Sequence, residues 1–247
     1  MESTERTEQV IIPDSLIESY RDSSIDYGWW HCIYDDFIVS AEECGFNVEA
    51  KDIYFSGFCS QGDGACFYGS YDNSKALDEL IEALSLHDTF ISELYRCQGI
   101  HPMAEELLDE PTDEELAVWK AMVHLDEGGL NDSISKFVWD FTVKIKQISS
   151  RYCHENTMEC EYSCDHDWEY ATERMINAIE DCASEITERI EEEAKDMARK
   201  LYCDLNEEYD YITSDEAIKE SIIANEYKQD EWITQSIEDR ESKCLAA

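Results

Sequence analysis

Residues 137–148 read FVWDFTVKIKQI, and hydrophobic side chains recur in this segment at every second position. Polar residues occupy the positions between them, which is the pattern of a β-strand with one buried face. The hydrophobic members are Trp139, Phe141, Val143 and Ile145. A partner strand over 158–164 would follow a turn at 154–156, so the sequence predicts a β-hairpin.

A second hairpin is predicted upstream. Two short aromatic-rich runs, 53–59 and 65–71, flank the tetrapeptide Gln61-Gly62-Asp63-Gly64. Glycine and aspartate in such a turn favour positive φ angles. Two hairpins predict a four-stranded antiparallel sheet, which needs helices on at least one face.

Helical spacing of apolar residues surrounds these strands. It predicts a short helix after Pro13, a helix that ends at Gly45, and helices over 73–97 and 112–126. From 168 to about 211, apolar residues follow steps of three and four without glycine or proline, which predicts one long helix. A shorter helix over 214–226 is expected after it, with Ser214 as its N-cap.

The expected fold class is therefore α+β, a small antiparallel sheet of two hairpins packed by helices, with a long C-terminal helix. We expect residues 1–12 to be disordered and 13–167 to form the α+β body. Residues 168–228 would supply the long helix and the short helix that follows it, packed on the body. Residues 229–247 would form a flexible tail.

Charge is the strongest feature of the composition. The chain holds 59 Asp and Glu against 19 Lys and Arg, a formal net charge of −40, yet 43 % of its residues are hydrophobic and can build a core. An acidic surface repels nucleic acid and anionic membranes and attracts basic protein surfaces. We therefore expect a basic protein as partner, and neither direct nucleic-acid binding nor membrane association.

Four carboxylates fall on the face of the long helix opposite its apolar seam: Glu185, Glu188, Glu192 and Asp196. They are the predicted partner-binding residues, together with Gln61 and Asp63 of the glycine-rich turn. Duplex DNA carries one charge per about 1.7 Å of its axis. This helix carries about one net charge per 4 Å over 185–196, so mimicry of DNA would need further acidic residues on the same surface. The alternative is an ordinary solvated helix face.

Cysteine and histidine concentrate between residues 153 and 166. Thiolates and imidazoles are preferred zinc ligands, but the spacing contains no C-x2-C pair. The candidate ligands are Cys153, His154, Cys160, Cys164 and His166. Reduced thiols that fill a core explain the cysteines equally well. We predict no metal and no cofactor.

Sequence motifs give no support for an enzyme. The chain has no glycine-rich phosphate loop that opens a helix, no nucleophile elbow and no H-E-x-x-H helix. Asp63 lies between two glycines, where a turn residue is a simpler interpretation than a metal ligand. The prediction is a protein without catalytic residues. A metal-dependent enzyme that uses Asp63 and the Cys/His segment is the remaining enzymatic alternative.

Two segments resemble a group of bacteriophage-encoded proteins of unknown activity. Residues 55–67, FSGFCSQGDGACF, are similar to their S-Q-G-D-G-A hairpin, and residues 208–227 are similar to their C-terminal signature EYxYxTSDEAI…ANEY. Some members are labelled antitoxin-like. The resemblance implies a phage protein that works in the cytoplasm of a host bacterium, and it implies no catalytic residues.

The function expected from charge and resemblance is inhibition or redirection of a host protein through its basic surface. A nucleic-acid-binding defence or replication factor is the partner in view, so that the protein would act as an anti-defence or DNA-mimic-like inhibitor. The alternative is an antitoxin-like or structural interaction protein whose acidity only keeps it soluble. The long apolar seam also suggests a homodimer.

Overall fold

The computed structural model describes residues 12–24, 28–97, 129–149, 152–166 and 171–225. The predicted helix over 112–126 and the predicted tail over 229–247 lie outside these ranges, as do residues 1–11 of the predicted disordered N-terminus. The chain divides into two compact units. We call 34–202 the central unit, and the residues up to Ile33 together with those from Cys203 onward the terminal unit.

Two antiparallel sheets form in the central unit. The larger has the strand order β1-β4-β5-β6, and the smaller pairs β2 with β3. The strands are β1 (Phe46–Asn47), β2 (Ile53–Phe55), β3 (Ala65–Phe67), β4 (Gly69–Tyr71), β5 (Val138–Gln147) and β6 (Met158–His166).

The run 65–71 does not form the single strand that its composition predicts. It divides at Tyr68, whose backbone N–H donates to the Asp52 carbonyl, so that β3 and β4 enter different sheets. β2 and β3 pair as predicted, with Tyr54 opposite Cys66. The larger sheet therefore takes its third and fourth strands from β1 and β4. These strands have only two and three residues, and segments this short are not recognised from local sequence patterns.

β5 and β6 form the long predicted hairpin, with Val143 opposite Tyr162. One part of the predicted register is wrong. A β-bulge between Val138 and Asp140 places an extra residue on β5, so that Val138 is buried and Trp139 is 53 % exposed. A bulge reverses the alternation of side chains beyond it, which explains why Phe141, Val143 and Ile145 point inward as expected and Trp139 does not.

Helices pack around the sheets, and the predicted α+β fold class is confirmed. The described helices are α1 (Asp14–Ser24), α2 (His31–Cys44), α3 (Asn73–Leu86), α4 (Asp88–Cys97), α5 (Gly129–Phe137), α6 (Glu173–Ile212) and α7 (Asp215–Ala224). The predicted stop of α2 is confirmed, since Gly45 has φ +98°. The predicted helix over 73–97 is interrupted at His87, which has extended backbone and whose Nδ1 accepts the Phe90 N–H at 3.3 Å.

The long C-terminal helix is confirmed as α6, whose 40 residues span about 60 Å at 1.5 Å per residue. Ser214 caps α7 as predicted, because its hydroxyl accepts the backbone N–H of Ala217 at 3.2 Å. No helix in the ranges that the structure describes has an apolar run long enough to cross a membrane.

Each unit has its own buried residues. The central unit buries aromatic side chains between the sheets and helices, with Phe67 in ring contact with both Phe37 and Phe46. The terminal unit has a small core between α1 and α7, formed by Leu16, Ile17, Tyr20, Ile218 and Ile222.

Candidate protein-binding surface

An exposed row of carboxylates runs along α6 in the central unit. The four predicted residues, Glu185, Glu188, Glu192 and Asp196, are all exposed. Asp181, one turn earlier, is also exposed and extends the row by one carboxylate. We call these five residues the acidic row. Sequence reasoning missed Asp181, although a step of four residues before Glu185 places it on the same face.

The opposite face of α6 explains this orientation. It carries an apolar seam in which each residue is nine-tenths or more buried: Ile179, Ala183, Ile186, Ile190, Ala194, Ala198 and Leu201. Burial of the seam turns the acidic row toward solvent. Because a single chain already covers this seam, it supplies no free apolar surface for the homodimer suggested by sequence, which stays a prediction.

Basic residues on α6 pair mainly with acids outside the row. The Arg189 guanidinium contacts Glu79 and also pairs with Glu193 at 3.0 Å. Lys195 Nζ lies 2.6 Å from Glu191. These pairs hold the basic charges on neighbouring faces of the helix.

Neutralisation of the row is confined to its C-terminal end. Glu192 lies 3.8 Å from Lys195, and Asp196 pairs with Arg199. No ion pair among the described residues includes Asp181, Glu185 or Glu188. The N-terminal half of the row therefore presents uncompensated negative charge.

The spacing of the row is too wide to imitate a nucleic-acid duplex by itself. From Asp181 to Asp196 the helix rises about 22 Å, at 1.5 Å per residue. A DNA duplex of that length carries about 13 phosphates, against five carboxylates here. Glu42 and Glu43 are exposed on α2, whereas Glu105, Glu106, Asp113 and Glu114 lie outside the described residues.

Asp63, predicted to bind a partner, is used to hold its own loop. One carboxylate oxygen, Oδ2, accepts the backbone N–H groups of Cys59 at 2.9 Å and Ser60 at 2.6 Å. The Asp63 N–H in turn donates to the Ser60 carbonyl at 3.1 Å. Gln61 is exposed at the tip of the same loop. Gln61 therefore remains available for contact, while Asp63 acts on loop structure.

Gly64 of this loop is required for close packing and not for positive φ, so the predicted role of the turn glycines is wrong. Neither Gly62 nor Gly64 is among the glycines with positive φ. A Cβ on Gly64 would lie 3.0 Å from both the Cys153 carbonyl oxygen and the His154 Cα. The connection between β2 and β3 covers 56–64, long enough to turn without the left-handed conformation of a two-residue hairpin loop.

Stacked aromatic rings join this loop to α6. Phe58 stacks on Phe55 at 5.9 Å between ring centroids and on Tyr202 at 5.6 Å. The Tyr202 hydroxyl donates to the Gly57 carbonyl at 3.1 Å. Tyr202 follows Asp196 by six residues on the same helix. The structure thus places the 56–64 loop against α6 six residues beyond the C-terminal end of the acidic row.

The cysteine and histidine residues of 153–166 do not assemble into one metal centre. Cys160, Cys164 and His166 lie along the extended strand β6, where a rise of about 3.3 Å per residue separates Cys160 from His166 by roughly 20 Å. Zinc ligands lie within about 2.3 Å of a common ion. Among the residues that the structure describes, no three His, Cys, Asp or Glu side chains are placed to hold a metal.

The cysteines and histidines of this segment have separate local environments. Burial, with a contribution from Glu191, raises the pKa of Cys160 to about 12, and burial raises the pKa of Cys164 to about 11, so both thiols are protonated at neutral pH. His154 Nδ1 accepts the Asn156 N–H at 3.1 Å. His166 is buried with its ring stacked on Phe137. Cys153 is half-buried.

A cavity in the terminal unit was not anticipated from sequence. Its volume is about 380 Å³, and aromatic residues from three segments line it: Tyr20, Trp29 and Tyr211. Trp29 packs on Tyr209 at 5.8 Å and edge-on against Trp30 at 5.9 Å. The Trp-Trp pair was visible in the sequence, but its partners were not.

Comparison with known proteins places the chain in one family. No curated protein and no solved structure matches it. A family model described as a domain of unknown function, DUF8835, matches residues 29–215, which include the acidic row, the 56–64 loop and the larger sheet. That match spans well over half of the sequence, and the chain therefore belongs to the DUF8835 family.

Proposed function

We propose that this protein is a non-catalytic binding protein of phage origin that occupies a basic surface of a host protein in the bacterial cytoplasm. The acidic row on α6 is its main contact surface. Occupation of that surface inhibits or redirects the partner by steric and electrostatic means. The phage origin in this proposal comes from the resemblance of residues 55–67 and 208–227.

The observation that carries the proposal is the uncompensated half of the acidic row. Asp181, Glu185 and Glu188 are exposed and take part in no ion pair with the described residues. Arg189 and Lys195 of α6 pair mainly with carboxylates outside the row. Such a one-sign stripe raises the association rate with an oppositely charged surface and discriminates against acidic proteins.

The spacing of the row favours a protein partner with dispersed Lys and Arg residues. Five carboxylates over about 22 Å give one charge per turn of helix, which matches the spacing of basic side chains on one face of a partner helix. The row alone gives no support to the narrower hypothesis of DNA mimicry, because its charge density is well below that of a duplex.

The residues considered for an enzymatic role have structural roles, which supports a binding function. The Asp63 carboxylate accepts two backbone N–H groups of its loop. The thiols of Cys160 and Cys164 are protonated at neutral pH because burial raises their pKa. A protonated thiol is a poor nucleophile, because the thiolate is the reactive form.

Affinity capture with two matched variants tests the proposal. In the row variant, Glu185, Glu188 and Glu192 are changed to Gln and Asp196 to Asn. In the control variant, the four exposed α2 carboxylates Asp35, Asp36, Glu42 and Glu43 are changed in the same way. Both variants lose four negative charges. The immobilised full-length proteins are exposed to bacterial lysate at low and high ionic strength.

We expect the wild-type protein and the control variant to enrich the same basic protein at low salt, and the row variant to lose it. Enrichment should fall as salt rises, because exposed charges are screened beyond about 8 Å at physiological ionic strength. Equal retention by the row variant and the wild type, or enrichment that does not respond to salt, would overturn the proposal.

An interaction protein whose contact is aromatic and not charged is the second candidate, and it includes an antitoxin-like role. The cavity of the terminal unit, lined by Tyr20, Trp29 and Tyr211, favours it. Under this alternative the row variant keeps its partner, while substitution of Tyr211 by Leu removes it.

A further inference from the structure

The aromatic cavity of the terminal unit is a formed concave site. Its volume of about 380 Å³ is at the lower end of the range of ligand pockets, roughly 300–1,000 Å³. Three aromatic residues, Tyr20, Trp29 and Tyr211, line it together with the polar residues Arg21, Glu220 and Ser221. Concave aromatic walls with a few polar groups are typical of small-ligand and side-chain recognition.

The walls of the cavity are fixed by the packing of the terminal unit. Tyr20 belongs to the core between α1 and α7, where it is 8 % exposed. Trp29 packs on Tyr209. Tyr211 is 58 % exposed, so it forms an accessible rim. The site therefore combines an ordered base with an open edge.

The positive charge that lines the cavity is already engaged. Arg21 Nε donates to the Thr213 carbonyl at 3.0 Å, and its Nη2 pairs with Asp215. These contacts connect α1 to the segment between α6 and α7. Glu220, which also lines the cavity, is exposed and has no basic partner among the ion pairs of the described residues. Because Asp215 neutralises Arg21, the Glu220 carboxylate leaves one negative charge in excess at the cavity.

The residues of the terminal unit around the cavity are also mainly acidic. Within the described part of the terminal unit, the only basic residues are Arg21 and Lys219. The acidic residues whose side chains are described are Asp14, Glu18, Asp204, Glu207, Glu208, Asp210, Asp215, Glu216 and Glu220. An anionic ligand would be repelled by this excess, whereas a cation would be attracted.

We propose that this cavity binds a single cationic side chain, arginine or lysine, of a basic protein. Trp29, Tyr20 and Tyr211 supply aromatic rings, whose negative quadrupole attracts a guanidinium or ammonium group, and Trp is the best of the aromatic residues for this contact. The Glu220 carboxylate supplies the counter-charge. This inference deepens the proposed function and rests on it, because the proposed function supplies the basic protein that carries the side chain. It names a specific pocket in addition to the acidic row.

Titration with capped amino acids tests the cavity without any partner protein. The full-length protein is titrated with N-acetylarginine amide, N-acetyllysine amide and the neutral isostere N-acetylcitrulline amide. The indole N–H resonance of Trp29 is followed by NMR, after assignment from the spectrum of a Trp29→Phe variant. Citrulline keeps the shape of arginine and lacks its charge, so it isolates the contribution of the cation.

We expect saturable shifts of the Trp29 resonance with the arginine and lysine amides, and binding of the citrulline amide about tenfold weaker. Tyr211→Leu and Glu220→Gln, both at exposed positions, should each weaken arginine binding by about threefold to tenfold. Glu188→Gln removes one charge from the acidic row and should leave the titration unchanged.

Absence of a saturable shift, or equal affinity for arginine and citrulline amides, would overturn the inference. The outcome is separable from the test of the proposed function. If the row variant loses its partner and the cavity binds no arginine amide, only the inference about the cavity is refuted. If the row variant keeps its partner and the cavity binds arginine amide, only the role of the row is refuted.

Discussion

Gly64 shows how one residue determines the position of a loop. A Cβ at this position would lie 3.0 Å from backbone atoms of Cys153 and His154, which directly precede the 3-10 turn Glu155–Thr157. Backbone atoms cannot rotate away as a flexible side chain can. The composition of the turn marked this glycine as special, but only the fold shows that the reason is close packing.

Gly64→Ala should therefore destabilise the protein by about 1–3 kcal/mol, the range for overpacking at a closely packed site. The measurement is the free energy of unfolding in urea. Gly62→Ala is the matched control, because its Cβ would meet only the half-exposed Tyr152 ring at 3.3 Å. Equal stability of the two variants would contradict this account of the loop.

Burial separates the cysteines into two chemical classes. Burial is the largest cause that raises the pKa of Cys66 and of Cys160 to about 12, followed by the nearby Cys153 thiol for Cys66 and the Glu191 carboxylate for Cys160. Because the thiolate is the nucleophile, these groups react slowly at neutral pH. Cys32, Cys44, Cys59 and Cys203 are exposed.

At pH 8, iodoacetamide should modify the four exposed cysteines within the time in which Cys66 and Cys160 stay unmodified. Mass spectrometry of peptides from a labelling time course measures the order. In denaturant all cysteines should react alike, which serves as the control. Early modification of Cys160 in the folded protein would contradict a buried, protonated thiol at this position.

At the scale of elements, α6 protects the edge strand of the larger sheet. Glu191 Oε2 accepts the backbone N–H of Cys160 at 2.8 Å, and Glu191 Oε1 contacts Lys195. Partial burial of the Glu191 carboxyl acts to raise its pKa, but the hydrogen bonds from Lys195 and Cys160 outweigh it and the net shift is downward. An edge-strand N–H group that is covered in this way is not available to pair with another chain.

Glu191→Gln should destabilise the protein by about 1–2 kcal/mol at pH 7, since it removes a charge-assisted hydrogen bond and an ion pair. A lowered pKa in the folded state gives stability that is present above the unfolded pKa of about 4.3 and is lost as pH falls through the folded pKa. The difference between wild type and variant should therefore shrink below about pH 4.

Urea unfolding at pH 7 and pH 3.5 checks this expectation. Glu192→Gln, at a position 69 % exposed, is the matched control and should change stability by less than about 0.5 kcal/mol at either pH. If Glu191→Gln lowers the free energy of unfolding equally at both pH values, the charge of Glu191 does not stabilise its contact with β6.

Local sequence patterns predicted most elements, because helices and long strands follow from neighbouring residues. α6, α7 with its Ser214 cap, and the β5–β6 hairpin are examples. The patterns failed where contacts between residues distant in sequence determine the structure. The two-residue strand β1 exists only because β4 lies beside it, and the bulge at Trp139 depends on the register of β6.

At the scale of the whole molecule, charge was predictable and its arrangement was not. The excess of 40 negative charges is read directly from composition, and the four predicted α6 carboxylates are exposed as expected. The pairing of Arg189 with Glu79 on α3, which leaves part of the row uncompensated, required the tertiary fold. The aromatic cavity likewise joins α1 and α7, which are distant in sequence.

The most direct test of the central claim is the salt dependence of affinity for the captured partner, measured by calorimetry on wild type, row variant and control variant. The account predicts that log affinity falls steeply with log salt concentration for the wild type and the control variant, and with a shallower slope and weaker binding at low salt for the row variant. Parallel slopes for the row and control variants would show that total charge, and not the acidic row, governs binding, and would contradict the account.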